Sequence, residues 1–189
     1  MAKISAKLPI IASITTSGTF DDGMAVGRLI QVTAAPTQNS TKLYADDGLA
    51  EEANDTSSVA ITLNTDTIPM TVAAALFGCK YTAASGTSPE TLEYSSEDVS
   101  PFVGFGFVSG ELINNVKSYK VTIYNKVKFA LPQTQYDTKG ESITFGTPTI
   151  NGTAYPDDNG KIFKEAVFTS ASTAATYLAQ EMDYTLPTA

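Results

Sequence analysis

The sequence predicts a mostly β protein with one or two flanking α-helices. Apolar residues alternate with small or polar ones over 59–63 and again over 103–107, and the pair Asn159-Gly160 marks a tight turn. A period of two places one face of a strand against a core, and both residues of an Asn-Gly turn tolerate positive φ. The length of 189 residues is compatible with a single domain over 1–189.

Strands are predicted, in chain order, at 8–14, 26–34, 59–63, 103–107, 119–129, 142–150 and 161–169. In the fourth of these, Gly104 and Gly106 interrupt the apolar stripe, and a glycine inside a strand allows a bulky side chain to come close. In the fifth, the apolar residues at 121, 123, 127 and 129 are interpreted as facing the same side. Residues 157–160 are interpreted as a hairpin turn that leads into the last strand.

Helices are predicted at 69–77 and at 170–181. Pro69 favours a first helical turn, and Gly78 is typical of the residue that ends a helix. Ser170 is a candidate N-cap for the second helix. The acidic stretches 46–58 and 82–100 are predicted to be long loops, and loops of that length in a compact domain are usually functional.

Composition disfavours an enzyme, a cofactor protein or a metalloprotein. The chain has no histidine, which excludes Ser-His and Cys-His nucleophile pairs and all histidine-containing metal sites. The single cysteine, Cys79, is interpreted as a small buried hydrophobe. With a net charge of −8 and a single arginine, Arg28, tight binding to a phosphate backbone is disfavoured. We therefore expect a structural protein without a cofactor or a metal, and without a membrane segment.

Charge is unevenly distributed along the chain. Residues 43–79 contain no Lys or Arg, and residues 112–136 contain no Asp or Glu. Two interpretations stay open: both regions are ordinary solvated faces, or an acidic loop of one copy contacts a basic strand of the next, a head-to-tail contact that makes rings or filaments. The candidate acidic contact residues are Asp46, Asp47, Glu51, Glu52 and Asp55. The candidate basic partners are Lys117, Lys120, Lys126 and Lys128.

Several runs, in their order and spacing, resemble the major tail proteins, or tail tube proteins, of bacteriophages with long non-contractile tails. The strand 59–63 and the helix 69–77 with its closing glycine belong to the same pattern. The other runs are TKLYADDG (41–48), PFVGFGF (101–107), YNKVKFALP (124–132), TKGESI (138–143) and PTINGT (148–153).

The resemblance implies a fold and a function. The family fold is a β-sandwich or barrel of the tail tube type with a flanking helix, and the subunits form hexameric rings that stack into a hollow tube through which the genome passes. The resemblance further implies that the chain assembles in the bacterial host cytoplasm, becomes part of the virion tail, and meets the tape measure, terminator and distal tail proteins. Passing DNA is not bound tightly. Some members carry an immunoglobulin-like C-terminal domain, which we do not expect in this sequence.

Two other classes of protein compete with this interpretation. One is a secreted adhesin or pilin-like β domain, which would require the apolar run 8–14 to belong to a signal peptide rather than to the first strand. The other is a capsid decoration or head-tail joining protein, which would be present in fewer or non-tubular copies. An enzyme is the weakest alternative.

Overall fold

The structure, a computed structural model, describes residues 2–45, 48–113, 115–134, 138 and 146–187. It is mostly β with two helices, as the sequence predicts. The strands are β1 (Ala2–Ile14), β2 (Phe20–Ala25), β3 (Leu29–Ala45), β4 (Gly48–Thr65), β5 (Lys80–Thr82), β6 (Thr91–Glu93), β7 (Phe102–Ile113), β8 (Val116–Phe129), β9 (Thr149–Ala154) and β10 (Phe163–Phe168). The helices are α1 (Met70–Phe77) and α2 (Ala171–Glu181).

One antiparallel sheet of eight strands organises the described part of the chain. Its order is β2-β1-β7-β8-β9-β4-β3, and β10 also pairs with β8. The strands β5 and β6 form a separate two-stranded sheet. The neighbours β7 and β8 pair along nearly their whole lengths, so these two strands form the centre of the large sheet.

Two successive strands share one edge of β8. Ala154 at the end of β9 lies opposite Val127, and Phe163 at the start of β10 lies opposite Tyr124. Residues 155–162 therefore leave the sheet after β9 and return to the same edge of β8 as β10. A turn does lie in this segment, closed by a hydrogen bond from the Gly160 N–H to the Asp157 carbonyl oxygen. The hairpin interpretation is nevertheless wrong, because β9 and β10 pair with β8 and not with each other.

Apolar cores lie on both sides of the sheet. The α1-side core joins α1 to side chains from β4, β7, β8 and β9, and the α2-side core joins α2 to side chains from β1, β7 and β8. Phe105 and Phe107 point into the α1-side core. A Cβ built on Gly106 would lie 2.6 Å from Leu178 Cδ1 of the α2-side core. The glycine-interleaved stripe thus allows α2 to pack closely on β7, as expected from the sequence.

A bulge in β8 changes the side of the sheet on which its apolar side chains are buried. Val121 and Ile123 belong to the α2-side core, whereas Val127 and Phe129 belong to the α1-side core. Between the pairs Val103–Val127 and Phe105–Tyr124, β7 contributes two residues to the ladder and β8 contributes three. The extra residue reverses the side-chain alternation. The prediction that these four residues face the same side is therefore wrong.

Helix α1 forms as the sequence predicts. It follows Pro69 and ends at Gly78, whose φ of 71° is left-handed and whose N–H bonds the Ala74 carbonyl oxygen. Ser170 occupies the N-cap position of α2, but its side chain makes no capping bond and lies 2.8 Å from the Ser172 hydroxyl. Neither helix in the described part of the chain has the length and apolar character that crossing a membrane requires.

Most predicted strands differ in their bounds, and two of them are only partly matched. The predicted strand 26–34 is interrupted, because Gly27 adopts a φ of 104° and the Arg28 N–H bonds the Asp66 carboxylate, so β3 begins only at Leu29. In the predicted strand 142–150, residues 142–145 lie outside the described residues, and β9 continues to Ala154. The stretch 82–100 is largely a loop, as predicted, with β6 inside it.

Candidate assembly interface

The segment predicted as an acidic loop is one half of a β-ribbon. Strands β3 and β4 pair with each other along their lengths, whereas β4 pairs with β9 only over residues 59–64. Beyond this contact, residues 37–45 and 48–58 bond in register only to each other; we call this ribbon the arm. At about 3.3 Å per residue, the arm is about 30 Å long. The loop prediction for 46–58 is therefore wrong for 48–58, and Asp46 and Asp47 lie outside the described residues.

The polar composition of the arm explains why its sequence does not predict a pair of strands. Its described side chains are exposed at 37–42 and 51–55 and half-buried at 56–58, so no apolar stripe with a period of two is required. Backbone hydrogen bonds between β3 and β4 hold the ribbon together instead. An isolated two-stranded ribbon is only marginally stable in water, so the arm gains little stability from its own chain.

The candidate acidic residues on the arm lie in solvent. Glu51, Glu52 and Asp55 are all exposed. Glu52 accepts a 2.7 Å hydrogen bond from the Ser40 hydroxyl on β3, and its register partner is Lys42. The arm therefore presents carboxylates with no bound cationic side chain among the described residues.

The candidate lysines on β8 divide into two groups at opposite ends of the strand. Lys117 is exposed near the start. Lys120 is bound by its own subunit: its Nζ lies 3.4 Å from Glu111 Oε1 and 3.0 Å from Glu165 Oε1. Burial of Lys120 lowers the pKa of its ammonium, but the bonds and charges of the two carboxylates outweigh this and raise that pKa overall. Lys120 is therefore already neutralised within the subunit.

Lys126 and Lys128, near the other end of β8, flank an exposed aromatic ring. Their Nζ atoms lie 5.0 and 5.6 Å from the centroid of the Phe102 ring, and Tyr155 meets that ring edge-on at 6.0 Å. Lys126 also lies 3.4 Å from Asp158, whose side chain is 97% exposed. Lys128 has no carboxylate within bonding distance in the described residues. We call Phe102, Lys126, Lys128 and Tyr155 the aromatic–lysine cluster.

Sequence reasoning named both lysines of this cluster and missed both aromatic residues. Phe102 immediately precedes the stripe of 103–107 and is out of phase with it, and this was the available signal for an outward-facing ring. Tyr155 leaves the sheet just after β9. The cluster lies at the base of the arm, because Ala154 pairs with both Val127 of β8 and Val59 of β4.

A cavity of about 490 Å³ lies beside the Lys120 ion pairs. Tyr124, Thr122 and Glu165 form part of its floor, and Ile4 and Ile30 are exposed at its rim. Burial, with a smaller contribution from the Glu165 charge, raises the pKa of Tyr124 to about 12, so the phenol stays protonated. The lining has a lysine held between carboxylates but no activated nucleophile beside a free base, and it offers no recognisable catalytic arrangement.

Cys79 is buried, as expected, with its Sγ 3.7 Å from the Ala73 carbonyl oxygen. Burial raises the pKa of this thiol, which makes it a poor nucleophile. The described residues contain no group of three or more His, Cys, Asp or Glu side chains that could hold a metal ion. No protein-family model matches the chain, and no curated protein matches it either.

Proposed function

We propose that this protein is the tail tube protein of a phage with a long non-contractile tail. Copies form hexameric rings, the rings stack into a tube, and the genome passes through the tube. The tape measure, terminator and distal tail proteins are its expected partners in the virion tail. The proposal rests on the sequence resemblance together with one structural feature, the arm.

The arm supports the proposal because its described side chains are largely exposed and therefore open to contact with another molecule. It is about 30 Å long by strand geometry, and its described side chains, at 37–42 and 51–58, form no buried apolar face. A polar ribbon of this length is poorly stabilised in isolation, and packing on another molecule would supply the contacts that it lacks. Repeated contacts between identical subunits are the simplest source of such packing, since every copy carries both an arm and a body.

Charge is compatible with a conduit for DNA. The net charge of −8 gives the assembled wall no general affinity for phosphates. A lumen that repels DNA weakly allows a genome to pass without sticking. The resemblance to tail tube proteins supplies the remaining step from an assembling β domain to a tube.

Electron microscopy of the purified chain tests the proposal. We expect rings or tubes in negative stain at increasing protein concentration, or in lysates of producing cells where assembly requires an initiator. Globular monomers under all of these conditions would contradict the proposal. Fewer, non-tubular assemblies would favour the capsid decoration or head-tail joining alternative.

A shortened arm provides the matched variant. Joining Thr37 to Ser58 through Asn-Gly removes the ribbon and keeps the contact between β4 and β9, so the body should fold with unchanged circular dichroism in the aromatic region. Assembly should be lost. A control that shortens the exposed turn between β5 and β6 should assemble normally.

A further inference from the structure

The acidic residues of the arm cannot reach the aromatic–lysine cluster of their own subunit. Val59, where the arm leaves the sheet, lies in the same row of the sheet as Val127 between the two cluster lysines, with Ala154 of β9 between them. Asp55 lies four residues beyond Val59 along β4 and Glu51 lies eight residues beyond it. Strand geometry therefore places the carboxyl-bearing residues about 13 and about 27 Å away from the cluster along the ribbon. The length of the ribbon thus separates the acidic residues of the arm from the basic cluster of the same chain.

The cluster has the chemistry of a docking site for a carboxylate-bearing strand. Phe102 and Tyr155 are 42% and 40% exposed, and their rings meet edge-on, so they form one shared apolar patch. Two ammonium groups stand over the Phe102 ring, where they can form charge-assisted bonds to carboxylates. The one acid bound there, Asp158, is almost fully exposed, so its displacement from Lys126 costs little.

We propose that the arm of one copy docks on the aromatic–lysine cluster of a second copy, with Glu51 and Glu52 against Lys126 and Lys128. The inference deepens the proposed function and rests on it. The contact is heterologous, because each copy uses its arm as donor and its cluster as acceptor. Every copy in an assembly, except those at an end, then has both surfaces covered. The acidic arm and the basic cluster belong to the same chain, so we take a second copy of this chain as the molecule that occupies the cluster.

The contact refines the choice among the candidate lysines. Lys120 is excluded because Glu111 and Glu165 already bind it. Lys117 is the weaker candidate because, in the described part of the chain, no aromatic ring lies beneath its ammonium group. The aromatic ring between Lys126 and Lys128 adds an apolar surface that a lone lysine lacks.

Two charge-reversed chains test the contact. Glu51→Lys with Glu52→Lys places a basic arm against a basic cluster, and Lys126→Glu with Lys128→Glu places an acidic arm against an acidic cluster. Each variant alone should raise the protein concentration needed for assembly by at least about tenfold, as measured by sedimentation and electron microscopy. Each should keep the far-ultraviolet circular dichroism spectrum of the wild type.

Mixing the two variants is the decisive measurement. In the mixture, each acidic arm meets a wild-type basic cluster and each basic arm meets an acidic cluster, so alternating copies should assemble again. A single chain with all four substitutions should assemble alone. The control, Lys7→Glu with Lys117→Glu, makes the same change in charge on exposed lysines elsewhere and should assemble like the wild type.

Removal of the ring tests the aromatic part of the contact. Phe102→Ser should weaken assembly several-fold, whereas Val99→Ala removes exposed apolar surface on another loop and should not. Normal assembly of either charge-reversed variant overturns the docking site while leaving the tube proposal intact. Weakened assembly of both variants without recovery in the mixture also overturns it. A wild-type chain that never assembles overturns the proposed function, and this inference with it.

Discussion

At the scale of single residues, Asp157 illustrates how one carboxylate holds a turn. Its Oδ1 accepts hydrogen bonds from the N–H groups of Asn159 and Lys161, and its Oδ2 accepts one from the Asn125 amide. Desolvation opposes the charge of Asp157, but these bonds outweigh it and lower its pKa below the usual value. The ionised carboxylate therefore stabilises the segment 155–162 more than the protonated form does.

This pKa predicts a dependence of stability on pH. Because the folded pKa of Asp157 lies below the unfolded one, its contribution is present above the unfolded value of about 4 and is lost as the pH falls through the folded value. Asp157→Ala should lower the free energy of unfolding at pH 7, and its difference from the wild type should shrink below about pH 4. Urea unfolding at several pH values measures this. A difference that is constant with pH would contradict the role of the charge; Asp158→Ala is the matched control.

Lys120 is a second residue whose charge is structural. Its partner Glu111 is buried with a side chain only 4% exposed, so removing the lysine leaves an unpaired carboxylate inside the sheet. Lys120→Met should lower the free energy of unfolding by about 3 kcal/mol. The exposed pair of Lys126 with Asp158 offers a control, since Lys126→Met should cost about 1 kcal/mol or less. Equal losses in urea unfolding of the two variants would show that Lys120 is not a buried ion-pair residue.

At the scale of elements, the sequence predicts strands well where one face is buried. The stripe of Val103, Phe105 and Phe107 predicts β7 because each residue enters the same core. The arm escapes prediction because its described side chains are exposed or only half-buried, so the composition of these stretches resembles that of a loop. The bulge in β8 also escapes, since an extra residue changes the side that is buried without changing the apolar character. The candidate acids and lysines are found from charge alone. The phase of the stripe could place Phe102 outside the core, but only the register of β7 on β8 places it opposite Lys128.

The arm should differ from the body in its dynamics. Its backbone hydrogen bonds lie in a solvent-exposed ribbon, and such bonds open at low free energy. We expect amides at 51–57 to exchange with deuterium faster than those of β7 in the monomer, and to become protected on assembly. The separate β5–β6 pair is an internal comparison whose exchange should change little. Equal protection of the arm in both states would contradict its role in assembly.

At the scale of the whole molecule, charge sets the relation to DNA. The chain has 20 acidic and 12 basic residues, and its one arginine, Arg28, lies 3.9 Å from Asp66. Because few groups can neutralise phosphates, we expect no complex with duplex DNA at micromolar protein and about 0.15 M salt. A mobility-shift assay with a salt titration measures this. Sub-micromolar binding that weakens with salt would overturn the view of a passive conduit.

The shared edge of β8 has a consequence for engineering. Residues 155–162 depart from the sheet between two strands that are each pinned to β8, with the Tyr155 N–H bonded to the Lys126 carbonyl oxygen and the Asn125 N–H bonded to the Ile162 carbonyl oxygen. The ends of the segment are therefore fixed by β8 rather than by the length of the chain between them. Lengthening a surface loop costs little free energy once its ends are held, about 0.6 kcal/mol per doubling. A foreign peptide inserted at Asn159 would keep both ends pinned to β8, and because the neighbouring Asp158 pairs with Lys126, the insert would cover the aromatic–lysine cluster and act as an inhibitor of assembly.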